Sequence, residues 1–201
     1  MKVNRPAARR DDQLILEGIV TTRNDDDTVN VSPMGPVVDR AVTSLRLRPF
    51  QTSTTYKNLL RTKQGVFHVT DDVELLARAA IGRLAPPKML EADTSQEAFQ
   101  GLILAGACRW YAFQVEACDD STERVEIECR VVKQGRIRDF LGWNRAMHAV
   151  LEAAILATRI DFLSAGEIQT QLEALSIIVD KTASEHERSA FHTIAQFVAS
   201  K

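Results

Sequence analysis

The sequence predicts an α+β protein in which an antiparallel barrel, small and closed or half-open, precedes a unit of three helices. Up to about Phe140 it is a series of runs rich in Val, Ile, Leu, Phe and Thr, separated by turn residues. After Gly142 the apolar period becomes helical. With 201 residues the chain can bury roughly 70% of its unfolded surface, so it needs no disulfide or metal staple.

The elements follow in order. Leu14 to Thr22 and Thr28 to Val38 read as strands, and Asn24 with Asp25, Asp26 and Asp27 closes a hairpin between them because Asn and Asp tolerate left-handed backbone. Val42 to Arg48 and Gln64 to Thr70 are further strands, with short helices at Ser53 to Arg61 and Asp72 to Leu84. Ala85 to Gln96, which contains Pro86 and Pro87, reads as a connecting loop. Tyr111, Phe113, Val115 and Ala117 alternate with polar or smaller neighbours, as do Val125, Ile127, Cys129 and Val131. Each set predicts a strand with one buried face, and the link Asp119 to Glu123 makes the two a second hairpin. Asn144 to Ile160, with alanines at 146, 149, 153, 154 and 157, predicts a helix that packs closely on two sides. Ser164 with Glu167 and Ser184 with Glu187 are capping-box patterns that start helices over Ala165 to Val179 and Glu185 to Ala199.

Composition excludes several classes. A hydrophobic fraction of 45% and a charged fraction of 26% are those of a folded globular chain rather than a disordered or fibrous one. A net charge of −2 gives no general attraction to nucleic acid. Glu152 and Arg159 interrupt the most apolar segment, Ala146 to Leu163, so no membrane span is expected. The three cysteines, Cys108, Cys118 and Cys129, lack CxxC spacing and fit free thiols in a reducing cytoplasm. Residues 1–12 hold arginines and aspartates without an apolar core and read as a flexible tail rather than a secretory signal. The expected organisation is this tail, a barrel over 13–141 and a helical subdomain over 142–201.

Two stretches carry candidate chemistry. In Asn30-Val31-Ser32-Pro33-Met34-Gly35, which follows Thr21-Thr22 across the hairpin, Pro33 lacks an amide proton and Gly35 permits unusual dihedrals. Such a strand either bulges and exposes backbone donors to a flat heterocycle or simply bends at a barrel corner. In the second stretch, Arg48 leaves a strand and Thr52, Ser53, Thr54 and Thr55 open a helix that continues through Tyr56, Lys57 and Asn58. Helix-start amides, hydroxyls and a guanidinium suit a dianionic phosphate. A redundantly capped helix in a Thr-rich loop is the structural alternative. Lys57 reads as a solvated residue.

The remaining motifs are structural or absent. His68, His148, His186 and His192 show no metal-ligand spacing. His68, alone in a strand, reads as a hydrogen-bonded structural residue, with a pocket-lining role as the alternative. Asp71 and Asp72 read as a helix start. GxSxG, GxGxxG and GxxxxGK[ST] are all missing from the sequence.

Thr21-Thr22, Asn30-x-Ser32-Pro33-Met34-Gly35, Ser53-x-Thr55-Tyr56-x-Asn58-Leu59 and Asn144-Arg145-Ala146 through Glu152 to Arg159 together resemble the domain of unknown function 447 family. That family is similar to flavin reductase-like split barrels, so the resemblance implies an antiparallel split β-barrel that binds FMN and pairs into a homodimer with the flavin near the subunit interface. It implies that the backbone of Ser32, Pro33, Met34 and Gly35 faces the isoalloxazine ring. Arg48, Ser53, Thr54, Thr55 and Asn58 would hold the ribityl phosphate, with Thr22 and Asn30 at the ring edge. Arg145, Arg159, Lys181 and Thr182 belong to the helical part of the resemblance without an assigned contact. The hairpin departs from the family pattern with three aspartates where glycine is frequent, and His68 stands where asparagine is usual.

The expected function is a flavin-dependent oxidoreductase of the flavin reductase type, acting on a small substrate, with the redox chemistry supplied by the cofactor and no side-chain dyad required. The alternatives are a non-catalytic flavin or nucleotide-binding module, and a protein-interaction platform built on the broad apolar face of Ala146 to Leu163.

Overall fold

The structure is a computed structural model that describes residues 13–90 and 102–201. The N-terminal tail over 1–12 and the end of the loop expected after Ala85 lie outside the described residues.

In chain order the elements begin with β1 (Gln13–Ile15), β2 (Gly18–Arg23), β3 (Val29–Met34), β4 (Val37–Asp39), β5 (Ser44–Leu47), α1 (Thr54–Thr62), β6 (Gln64–Val69) and α2 (Val73–Ala80). Then come β7 (Met89–Leu90), β8 (Ile103–Leu104), β9 (Arg109–Asp119), β10 (Glu126–Arg136), α3 (Arg145–Ala157), α4 (Ala165–Thr182) and α5 (Glu185–Ala199). Eight strands form one sheet in the order β1-β4-β5-β10-β9-β6-β2-β3, and every neighbouring pair is antiparallel.

That order forces the sheet to curl. β1 runs into β2, and β3 into β4, through two-residue links, yet each link joins opposite ends of the strand order. Met34 to Val37 can span no more than about 11 Å, so the two ends of the sheet meet. Leu16 N–H donates to Pro36 C=O at 3.1 Å and ties the links together. The curled sheet with its incompletely laddered seam is the antiparallel split barrel that the resemblance implied.

The links also correct the expected strands. Leu14 to Thr22 and Thr28 to Val38 each divide in two, at Leu16-Glu17 and at Gly35-Pro36. Pro36 has no amide to donate, and a Cβ on Gly35 would lie 2.6 Å from Glu17 Oε1 and 2.7 Å from Ile15 Cγ2, so the crossing chains approach only because Gly35 has no side chain. The ladder runs through Pro33, which pairs with Ile19, and the irregularity falls at Gly35-Pro36 instead.

The first hairpin turns without glycine. Asp27 takes φ 63°, and Asp26 Oδ1 accepts from both the amide and the hydroxyl of Thr28. In the second hairpin, the register shift around Glu116 inserts a bulge in β9. Beyond it the phase is reversed and Ala117 is exposed, because one extra residue moves the following side chains to the other face.

Val20, Leu45, Leu47, Leu59, Phe67, Phe113, Val125 and Ile127 fill the barrel. A second core joins α2, α3, α4 and α5 through Val73, Ala77, Val150, Ala153, Leu172, Ala190 and Ile194. The wide apolar surface of α3 is thus buried inside the chain, and small alanines let the neighbouring helices approach. Both capping boxes form, with Ser164 N–H donating to Glu167 at 2.9 Å and Ser184 N–H to Glu187 at 2.8 Å. α2 ends at Ala80, short of the expected Leu84, where Gly82 takes φ 68°. β7 lies within the stretch expected to be loop and pairs with β8. Among the described residues no helix is long and apolar enough to cross a membrane.

Candidate functional site

A cavity of about 750 Å³ opens between the barrel seam and the helical unit. Its barrel side is Ile15, Glu17 and Ser32 to Gly35; its floor is Arg48, Pro49, Phe50, Ser53 and Thr55; its far wall comes from α2, α3 and the turn after α3.

β3 is the last strand of the sheet, so one side of its backbone is unladdered. Asn24 N–H bonds Thr28 C=O at 2.9 Å in the hairpin turn. With antiparallel alternation, Asn30, Ser32 and Met34 then turn their backbone groups toward β2, and those of Val31 and Pro33 point outward. Pro33 therefore occupies an edge position where a missing amide breaks no ladder bond. Of these outward residues Pro33 lines the cavity, and it can offer only its carbonyl.

α1 begins at the cavity floor. Ser53 caps it, accepting from Tyr56 N–H at 3.2 Å and donating to Phe50 C=O at 2.7 Å. The amides of Thr54 and Thr55 are the first of the helix and have no intrahelical acceptor. Thr55 is buried and receives Asn30 Nδ2 at 3.0 Å. Asn30 and Asn58 also both donate to the buried Thr22 hydroxyl, at 3.1 and 3.0 Å, and Asn58 donates to Asn24 Oδ1 at 2.8 Å. These five side chains lock the start of α1 onto the first hairpin.

The turn between β9 and β10 is held against the chain before α1. Gln51 N–H donates to Glu123 C=O at 3.0 Å and Val125 N–H to Pro49 C=O at 2.9 Å, while Gln51 Nε2 reaches Asp120 C=O at 2.7 Å. Tyr56 donates its hydroxyl to Asp120 Oδ2 at 2.9 Å. This docking brings Arg124 over the Phe50 ring, 5.4 Å from its centroid, with Nε 3.2 Å from the Arg48 carbonyl. Arg159 approaches from the turn after α3. Partial burial, followed by the charges of Arg48 and Arg159, lowers the pKa of Arg124. Glu17 shifts upward, through partial burial and the charge of Glu152.

Of the residues singled out in the sequence, Ser32, Pro33, Met34, Gly35, Arg48, Ser53 and Thr55 line this cavity. Thr22, Asn30 and Asn58 lie behind it and position Thr55 and the helix start, and Thr54 is exposed at the first turn without lining it. Arg159 lines the cavity; Arg145, Lys181 and Thr182 do not. Sequence reasoning missed Glu17, Phe50 and Arg124. Phe50 stood inside the phosphate-type stretch, whereas Glu17 and Arg124 belong to no motif and reach the site only through the seam and the hairpin docking.

His68 is fully buried in β6, away from the cavity lining. Its Nε2 accepts from Leu104 N–H at 3.1 Å, which leaves the proton on Nδ1 to donate to Ile19 C=O at 3.3 Å. Burial lowers its pKa to about 4, so the ring is a neutral pin between β2, β6 and β8. Asp72 caps α2 through Leu75 N–H at 2.9 Å. Asp71 pairs with Arg138 through both carboxylate oxygens and accepts from Leu141 N–H at 2.8 Å. Its pKa falls to about 2, chiefly through the Arg138 hydrogen bonds. Both aspartates are structural. Cys108 and Cys129 are buried and Cys118 half-buried, all as free thiols, and burial raises the pKa of each.

The architecture has counterparts among solved structures. An FMN-bound protein from Methanosarcina mazei superposes over 91% of this chain and 94% of its own, with TM-score 0.78 and 23% identity. An FMN-binding protein from Thermus thermophilus, solved with 1-cyclohex-2-enone, matches 68% of this chain and 81% of its own, with TM-score 0.50 and 16% identity. An FMN-binding protein from Thermus thermophilus with bound p-hydroxybenzaldehyde gives TM-score 0.51, 15% identity and coverage of 68% of this chain and 80% of its own. These likenesses establish the fold. In sequence, residues 16–138 match the N-terminal domain of the family described as protein of unknown function DUF447, and residues 144–196 match its C-terminal part. Seam, phosphate-type helix start and helical wall all lie within those two stretches, and the chain belongs to the DUF447 family.

Proposed function

We propose that the chain binds FMN in the cavity at the barrel seam and is a flavin-dependent oxidoreductase acting on a small substrate. The observation that carries this reading is the meeting, in one cavity, of Arg48, Ser53 and Thr55 at a helix start with the end of the edge strand at Ser32 to Gly35, where the Pro33 carbonyl faces outward. The donor set fits the cofactor. Arg48, the Ser53 and Thr55 hydroxyls and the first amides of α1 would hold the phosphate. The outward carbonyl of Pro33 would meet the polar edge of the ring, while Leu76, Leu151, Ala154 and Ile155 offer an apolar face. Thr22, Asn30 and Asn58 act from behind by holding Thr55 in place, and Thr54 contributes its amide. Bound flavin would supply hydride and electron transfer, and the protein binding, orientation and exclusion of water.

The FMN-bound protein from Methanosarcina mazei supports the cofactor assignment through its shared fold over nearly the whole chain. The reading includes a homodimer. Leu141 and Trp143 are 83% and 87% exposed, and large exposed apolar side chains of this kind suit a subunit interface.

The test is an absorbance spectrum of the purified protein, analysis of flavin released by heat, and anaerobic reduction of the FMN-loaded protein by NADH or NADPH. Yellow flavin bands, released FMN and reduction with reoxidation by an acceptor are expected. A colourless protein that also fails to quench added FMN fluorescence overturns the cofactor. Bound flavin that resists both reductants overturns the reductase form.

A further inference from the structure

The cavity holds more positive charge than one phosphate uses. Arg48, Arg124 and Arg159 share it, close enough that the other two depress the pKa of Arg124. Among the described residues, none of the three forms an ion pair with a carboxylate. Glu17 does not serve them: it packs against Gly35, and the charge acting on it is Glu152. Like charges gathered in a partly desolvated space are unfavourable until an anion enters. A phosphate monoester carries about −1.5 to −2 at pH 7, so at least one guanidinium is left over.

The surplus has its own place. The phosphate-type donors belong to the start of α1, whereas Arg124 comes from the β9–β10 turn with Nε already donated to the Arg48 carbonyl. Its terminal nitrogens remain for a ligand. Arg159 stands on the helical wall, and the rings of Phe50 and Phe162, 49% and 78% exposed, flank the same opening. Guanidiniums bind an anionic group as such, and exposed rings beside them add a surface for the organic part of a larger anion.

We propose that Arg124 and Arg159 form a second anion subsite, which takes the anionic group of the molecule that reacts at the flavin. The substrate is then an organic anion. This rests on the FMN reading, and the two are separable by experiment. FMN affinity is measured by fluorescence quenching, and the FMN-loaded protein is then titrated calorimetrically with inorganic pyrophosphate. Arg124→Gln and Arg159→Gln change exposed residues, and equal thermal midpoints verify their folding. Both should keep FMN affinity within a few-fold of the parent but lose pyrophosphate affinity by roughly 10- to 100-fold, the range for a charged hydrogen bond. If either variant loses FMN affinity as severely as Arg48→Ala, the arginines form a single phosphate site and the proposal falls. It also falls if the loaded parent takes no pyrophosphate or the variants bind it equally well. A parent that binds no FMN removes the flavin reading and this proposal together.

Discussion

The side-chain amide of Asn30, on β3, donates to the hydroxyl of Thr55 in the first turn of α1 at 3.0 Å. Through this bond the edge strand and the helix start, distant in sequence, keep a set distance across the cavity floor. Asn58 completes the lock from the same helix by donating to Thr22 and Asn24.

Asn58→Ala removes both donations and leaves the buried Thr22 hydroxyl with one donor fewer. The expected loss is about 1–3 kcal/mol of stability, with FMN affinity reduced as the first turn of α1 loosens. Urea unfolding and FMN fluorescence titration on the same preparation measure the two effects; unchanged unfolding would show that the network is dispensable.

Arg48→Ala should weaken FMN binding by about 1.5–3 kcal/mol, the worth of hydrogen bonds to a charged group. Arg48 is half-buried at the cavity floor, so stability should change little. Equal affinities for parent and variant would remove Arg48 from the phosphate site.

His68 predicts a pH dependence. Its folded pKa is near 4 and its unfolded value 6.5, so between these values the unfolded chain binds the extra proton. Stability is full above pH 6.5 and declines as the pH falls toward 4, by about 3 kcal/mol in total. Asp71 acts lower: with its pKa depressed to about 2, its contribution is present above pH 3.8 and lost below. Unfolding free energies at pH 7 and pH 4.5 should differ in the parent and differ much less in His68→Asn. A parallel decline in both proteins would assign the effect elsewhere.

Gly35→Ala would set a Cβ 2.6 Å from the Glu17 carboxylate and 2.7 Å from Ile15 Cγ2. Glu17 can swing aside but the Ile15 contact belongs to the crossing chain, so a cost of about 1–3 kcal/mol is expected. Glu17 lines the cavity, so shifting its carboxylate should lower FMN affinity as well. A variant with parental stability and affinity would show that the links have slack.

Local signals were legible wherever a few neighbouring residues decide the outcome. Ser164 with Glu167 and Ser184 with Glu187 start their helices as read, because a capping box is completed within four residues. The Asn24 to Asp27 turn and the hairpin at Asp119 to Glu123 were equally local. The bulge at Glu116 was not, since an alternating pattern has no mark for one residue too many. Of the candidate site, the backbone at Ser32 to Gly35 and the hydroxyls before Tyr56 were visible as unusual chemistry in the chain.

Propensity, period and capping made the C-terminal helices, the two hairpins, the change from strand to helix near Gly142 and the phosphate-type helix start readable along the chain, whereas the splitting of the first two strands and β7 were not. The meeting of the sheet's two ends at Leu16 and Pro36, the bond from Asn30 to Thr55 behind the cavity, and the gathering of Arg124 and Arg159 with Arg48 arise only in the closed fold. Those relations depend on curling a sheet whose short links connect its opposite ends, a closure that no single segment encodes.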